Sequence, residues 1–62
     1  MILDRIIEMQ VFLLKQKRKP TTVLINLADF TALVKELETD RYLDKIHNMK
    51  IEIVNSHQLI LV

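Results

Sequence analysis

The 62-residue chain contains no cysteine, no glycine and no tryptophan, with a single proline and a single serine. Without cysteine, neither disulfides nor thiolate-zinc sites can staple a scaffold whose small size lets it bury only about 60% of its unfolded surface. Without glycine, the usual phosphate-cradling loops and the dinucleotide-binding fingerprint are excluded. Backbone positions requiring positive φ then fall to asparagine, with Asn48 and Asn55 the expected ones. Few parts remain for catalysis. Charge of one sign is also lacking, since nine Lys/Arg face eight Asp/Glu for a net charge of +1. Half the residues are hydrophobic, which argues for a packed fold over a disordered chain. The length holds one domain, residues 1–62, and association with further copies is the remaining means of covering apolar surface.

Long hydrophobic runs are missing as well. Asp4, Arg5 and Glu8 interrupt the apolar amino end, whereas a signal peptide places positive charge before an unbroken apolar stretch and a membrane span needs about 20 such residues. A soluble chain of cytoplasmic type, without a membrane partner, is expected. On a helical wheel, residues 2–18 place Asp4, Arg5, Glu8 and Lys15 on one side and Ile2, Leu3, Ile6, Ile7, Met9, Leu13 and Leu14 on the other. The apolar arc is about 160° wide, beyond the roughly 100° stripe that one core covers, and Val11 and Phe12 project past its edges. Residues 1–19 are therefore expected to form an amino-terminal helix whose excess apolar face joins subunits through Ile2, Ile6, Met9, Gln10, Leu13 and Leu14. Gln10 lies inside this arc and requires water or a hydrogen-bond partner.

Pro20 stops that helix, and the β-branched stretch Thr21-Thr22-Val23-Leu24-Ile25 reads as a buried strand. Asn26 is suited to cap a second helix, whose core face is Phe30, Leu33, Val34 and Leu37 at i, i+3, i+4 and i+7. Residues 39–48 read as mixed turn and helix, with Tyr42, Leu43 and Ile46 suited to one more helical turn. Met49-Lys50-Ile51-Glu52-Ile53 alternates as a half-wet strand, Asn55-Ser56-His57 supplies a turn, and Leu59-Ile60-Leu61-Val62 returns as a strand apolar on both faces. The fold class is α+β in the order α-β-α-β-β. The amino-terminal helix joins a β-α-β-β unit of residues 20–62 whose three-stranded sheet ends in a carboxyl-terminal hairpin.

Candidate chemistry is sparse. Ser56 and His57 are neighbours in a turn, where adjacent side chains rarely align for proton transfer. Asp44 and His47, at i, i+3, could offer two metal ligands but lack a third. Glu36, Glu38 and Asp40 look like a solvated face. No enzyme activity, metal or cofactor is expected. Lys15, Lys17, Arg18 and Lys19 could contact nucleic-acid phosphates, yet they spread around a helix end without interleaved aromatic residues, so a solubilising helix end is the preferred account. Residues 1–20 carry net +3 and residues 21–62 net −2, an asymmetry suited to registering subunits head to tail.

Two family resemblances bear on function. Pro20-x-x-Val23-Leu24-Ile25-Asn26-x-x-Asp29-Phe30-x-x-Leu33 is similar to the strand-turn-helix of prevent-host-death type antitoxins. That likeness implies a nucleic-acid-binding regulator using the basic run 15–19, although the flanking segments differ from that family's. Residues 19–62 resemble small tailed-phage proteins, in which Lys-Pro, a short strand, an Asp-aromatic helix and a Met-x-Ile/Val-x-Ile/Val hairpin occur in this order. Lys19-Pro20, Asp29-Phe30, Met49 to Ile53 and Leu59 to Val62 carry the match, with Asn48 standing where a glycine is often found. This second likeness implies a non-enzymatic accessory or virion-assembly protein that works as a homo-oligomer such as a ring. Another phage structural protein would be its partner, in the host cytoplasm or the virion.

Overall fold

A computed structural model describes residues 1–62 and contains two helices and a four-stranded mixed sheet. Helix α1 spans Ile2–Lys15, strand β1 Thr22–Ile25, helix α2 Leu27–Glu36, strand β2 Lys45–Ile46, strand β3 Met49–Ile53 and strand β4 Ile60–Leu61. The sheet order is β2-β3-β1-β4. β1 and β3 are parallel, with Val23 opposite Ile51, and α2 makes the crossover that a parallel pair requires. β2 and β4 run antiparallel to β3 and β1.

One core of eleven residues lies on one face of the sheet. Val23, Ile25, Met49, Ile51, Ile46, Leu59 and Leu61 supply the sheet side; Ile2 and Ile6 of α1 and Phe30 and Leu33 of α2 supply the helix side. Alternation along the strands sends Thr22, Lys50, Glu52 and Ile60 to the opposite face, where Lys50 and Glu52 form an ion pair at 3.8 Å.

Local chemistry explains most element boundaries. Asn26 caps α2, its side-chain oxygen accepting from the Asp29 amide at 2.7 Å. Both helices end in a Schellman turn built without glycine. After α1, Lys17 at φ 61° lets the Arg18 amide donate to Leu13; after α2, Glu38 at φ 52° lets the Thr39 amide donate to Val34. Holding such residues in the left-handed region costs about 1–2 kcal/mol each. Asn48 takes a positive φ as expected, in a two-residue turn with His47, and these values fit a type I′ hairpin between β2 and β3. Asn55 does not.

Three expectations are corrected. The carboxyl-terminal hairpin is absent: β3 has β1 on one side and β2 on the other, so β4 pairs with the free edge of β1 instead. Residues 39–48 form turns and β2 rather than helix, because the His47-Asn48 turn folds Ile46 back onto Met49. Helix α1 stops at Lys15, so Lys17, Arg18 and Lys19 belong to the connection ahead of β1.

α1 begins without a capping side chain of its own. Its exposed first amides are satisfied from outside, by the Glu36 carboxylate at the end of α2, which accepts from Ile2 at 2.8 Å and Leu3 at 3.1 Å. These two hydrogen bonds hold the Glu36 carboxyl below its ordinary range, against an opposing contribution from burial. A carboxylate with a lowered folded-state pKa stabilises above its unfolded value, and that stability is lost as pH falls through the folded value. Acidification is therefore expected to lower the melting temperature in the acidic carboxylate range. The Glu36→Gln variant should melt lower near neutrality and show a shallower pH dependence there; identical pH profiles for both proteins would refute the role.

Candidate interaction surface

The amino-terminal helix divides its apolar residues between two uses. Ile2 and Ile6 are buried in the subunit's own core and present no surface to a second copy, whereas Met9, Gln10 and Leu13 are half-buried. The Gln10 side-chain amide donates to the His47 carbonyl at 3.1 Å, so its polar group has a partner within the chain. Leu14 is exposed, as are Val11 and Phe12, the last at 59%. The excess apolar surface thus collects in the carboxyl half of α1. Its origin is geometric: the core below meets the helix along the Ile2-Ile6-Met9-Leu13 line, and side chains turned well away from that line find no neighbour.

The basic run adjoins this surface. Lys15, Lys17, Arg18 and Lys19 are all exposed, and the chain's one ion pair, Lys50–Glu52, lies elsewhere. The Schellman turn at Lys17 swings Arg18 and Lys19 beside Leu13, Pro20, Leu61 and Val62, and these six residues line an open cleft of 180 Å³. Leu13, Pro20, Leu61 and Val62 supply the apolar part of its lining, and the two cations add polar, positively charged surface.

The remaining candidates do not converge. Ser56 Oγ lies 3.2 Å from the Gln58 amide and 3.3 Å from its carbonyl, closing a local turn, while His57 is exposed. Asp44 and His47 are exposed, on the way into β2 and in the turn after it, and no third potential ligand gathers with them. Glu36 is the residue that sequence reasoning placed wrongly, on a solvated face. The available signal was at the other end of the contact, where Met1-Ile2 offers α1 no capping side chain.

No protein-family model matches the chain, and neither a curated protein nor a solved structure does so. No helix is long and apolar enough to cross a membrane.

Proposed function

We propose that the protein is a non-enzymatic interaction protein that works as a homo-oligomer, joined through the carboxyl half of α1. The observation that carries this reading is the exposure of Val11, Phe12 and Leu14 on one helix of a chain with only twelve buried residues. Covering a large apolar side chain fully is worth about 1.5–3 kcal/mol, so three that are half exposed offer a few kcal/mol per subunit. At about 0.05–0.15 kcal/mol per residue the whole fold is worth only some 3–9 kcal/mol, so that gain is large beside it. The likeness to small tailed-phage proteins supplies the setting proposed for it, virion assembly or an accessory role in the host cytoplasm, with another phage structural protein as partner.

Light scattering should give a mass that is a multiple of the 7.3 kDa chain. Phe12→Asp should lower that mass while leaving helix content unchanged. A monomeric unmodified protein would end this reading.

The second reading is a nucleic-acid-binding regulator, favoured by four exposed cations that no carboxylate of the chain pairs with. It requires a specific duplex complex tighter than about micromolar near physiological salt, weakening steeply as salt rises and lost when Lys15, Lys17, Arg18 and Lys19 become Gln.

A further inference from the structure

Two segments of opposite net charge lie apart in the fold. From Met9 to Ala28 there is no acidic residue, and Lys15 to Pro20 carries four cations. The loop from Leu37 to Asp44, between α2 and β2, carries Glu38, Asp40 and Asp44 against Arg41 alone, net −2. This acidic loop leads into the edge strand β2, whereas the basic cleft adjoins β4, the opposite edge of the sheet. Three strand spacings, about 14 Å, lie between those edges. Helix α1 separates the two regions in a second direction: its first amides sit on Glu36 at the root of the acidic loop, and its last turn walls the cleft. Fourteen residues at about 1.5 Å each make that distance about 21 Å. The clusters are too far apart to neutralise each other within one chain, and neither makes an ion pair.

The acidic loop also carries a projecting aromatic group. Tyr42, the only tyrosine, is 75% exposed, with the Arg41 guanidinium 5.5 Å from its ring centroid. Tyrosine buries a large area with few rotatable bonds and is enriched among residues that dominate interface energies. The basic cleft is opposite in net charge to the loop that carries Tyr42, whose carboxylates outnumber Arg41 three to one. The cleft, 180 Å³ and open to solvent, sets the apolar Leu13, Pro20, Leu61 and Val62 beside the cationic Arg18 and Lys19, a mixed lining suited to the apolar ring and polar hydroxyl of a tyrosine.

We infer that the cleft is the docking site for a second copy of this chain, which inserts Tyr42 and sets its Glu38, Asp40 and Asp44 against Arg18 and Lys19 of the first. The inference rests on the homo-oligomer reading and deepens it. The two surfaces differ, so the contact is head to tail, the kind that closes into a ring or runs on as a filament. The basic run that sequence alone reads as a solvated helix end acquires a partner in this arrangement.

Two variants with changes at exposed positions test the contact: Arg18→Gln with Lys19→Gln removes the cleft's charge, and Glu38→Gln with Tyr42→Ala removes the inserting ring and part of the loop's charge. Each alone should fall to the 7.3 kDa single-chain mass with unchanged circular dichroism. Mixed in equal amounts, they retain one competent cleft and one competent loop between them, so a species of twice the single-chain mass should form and nothing larger. Two variants that keep the native mass, or a mixture that stays monomeric, would overturn the head-to-tail contact. If Phe12→Asp dissociates the protein while the loop variant does not, the homo-oligomer reading stands and this inference fails; a monomeric unmodified protein removes both. Emission from Tyr42, in a chain without tryptophan, gives a check that needs no variant. Its quenching by acrylamide should fall on assembly, and an equally accessible Tyr42 in the assembled protein would overturn the insertion.

Discussion

An Ile6→Asp chain is expected to be unfolded at room temperature, whereas Phe12→Asp is expected to fold. Ile6 is fully buried, in a core with no buried polar or charged residue that could receive a carboxylate. Truncating a large aliphatic residue in a core costs about 2–5 kcal/mol, and an unpaired buried charge adds several more. A chain of 62 residues has about 3–9 kcal/mol in total at the usual 0.05–0.15 kcal/mol per residue, so the loss meets or exceeds the supply. Phe12 lies six positions along the same helix but is 59% exposed, so within the isolated subunit a change there shifts stability by about 1 kcal/mol or less, any larger loss being that of the subunit contact. Circular dichroism with a denaturant titration separates the pair. A cooperative transition at the native midpoint in Ile6→Asp would mean that the amino-terminal helix does not seal the core, and the division of α1 into a buried and an available face would be wrong.

That division shows where sequence periodicity stops being informative. The wheel of α1 identifies an apolar arc wider than one core can cover, and the structure leaves part of it exposed. The pattern alone cannot say which part, because that depends on where the sheet and α2 lie beneath the helix. Ile2 and Ile6 look as available as Leu14 from sequence, yet the first two are buried and the third is exposed. Features set within a few residues were legible. Asn26 caps α2, Phe30 and Leu33 face the core, β3 alternates from Met49 to Glu52 although Ile53 at its end is exposed, and Asn48 takes the positive φ of a tight turn. Strand order was not, since β1 and β4 meet through residues nearly forty positions apart and nothing local marks which edge Leu61 will choose. Tertiary capping was equally hidden: Glu36 resembles any exposed helix glutamate until α1 is placed with its free amides against it. The basic run kept its exposure, but its cleft exists only because Lys17 turns the chain and β4 comes back alongside Pro20.

Deleting residues 59–62 is expected to leave an insoluble or unfolded chain, although not for the reason that an unbroken apolar run suggests. Such a run reads as a strand covered on both faces and hence central in its sheet or at an interface, but β4 is an edge strand that alternates. Leu59 and Leu61 are buried against the core, while Ile60 and Val62 face away and are exposed at 36% and 57%. Only two side chains' worth of full burial is therefore at stake, about 3–6 kcal/mol at 1.5–3 kcal/mol each. The backbone adds to this. The Val62 carbonyl accepts from the amides of Thr21 and Thr22, and the Val62 amide donates to Thr22, so truncation also bares the edge of β1. An exposed edge with Val23, Leu24 and Ile25 on it is a template for pairing with another chain, which makes aggregation the expected fate. Point variants distinguish the two accounts of the strand. Leu61→Ala should cost about 2–5 kcal/mol as a core truncation, and the outward change Ile60→Thr should cost under about 1 kcal/mol. If Ile60→Thr destabilises as much as Leu61→Ala in the assembled protein but not in the Phe12→Asp monomer, the outer face of β4 is itself covered by a neighbouring copy. Equal losses in assembly and monomer alike would instead mean that Ile60 packs within the subunit and that the sheet has no open face.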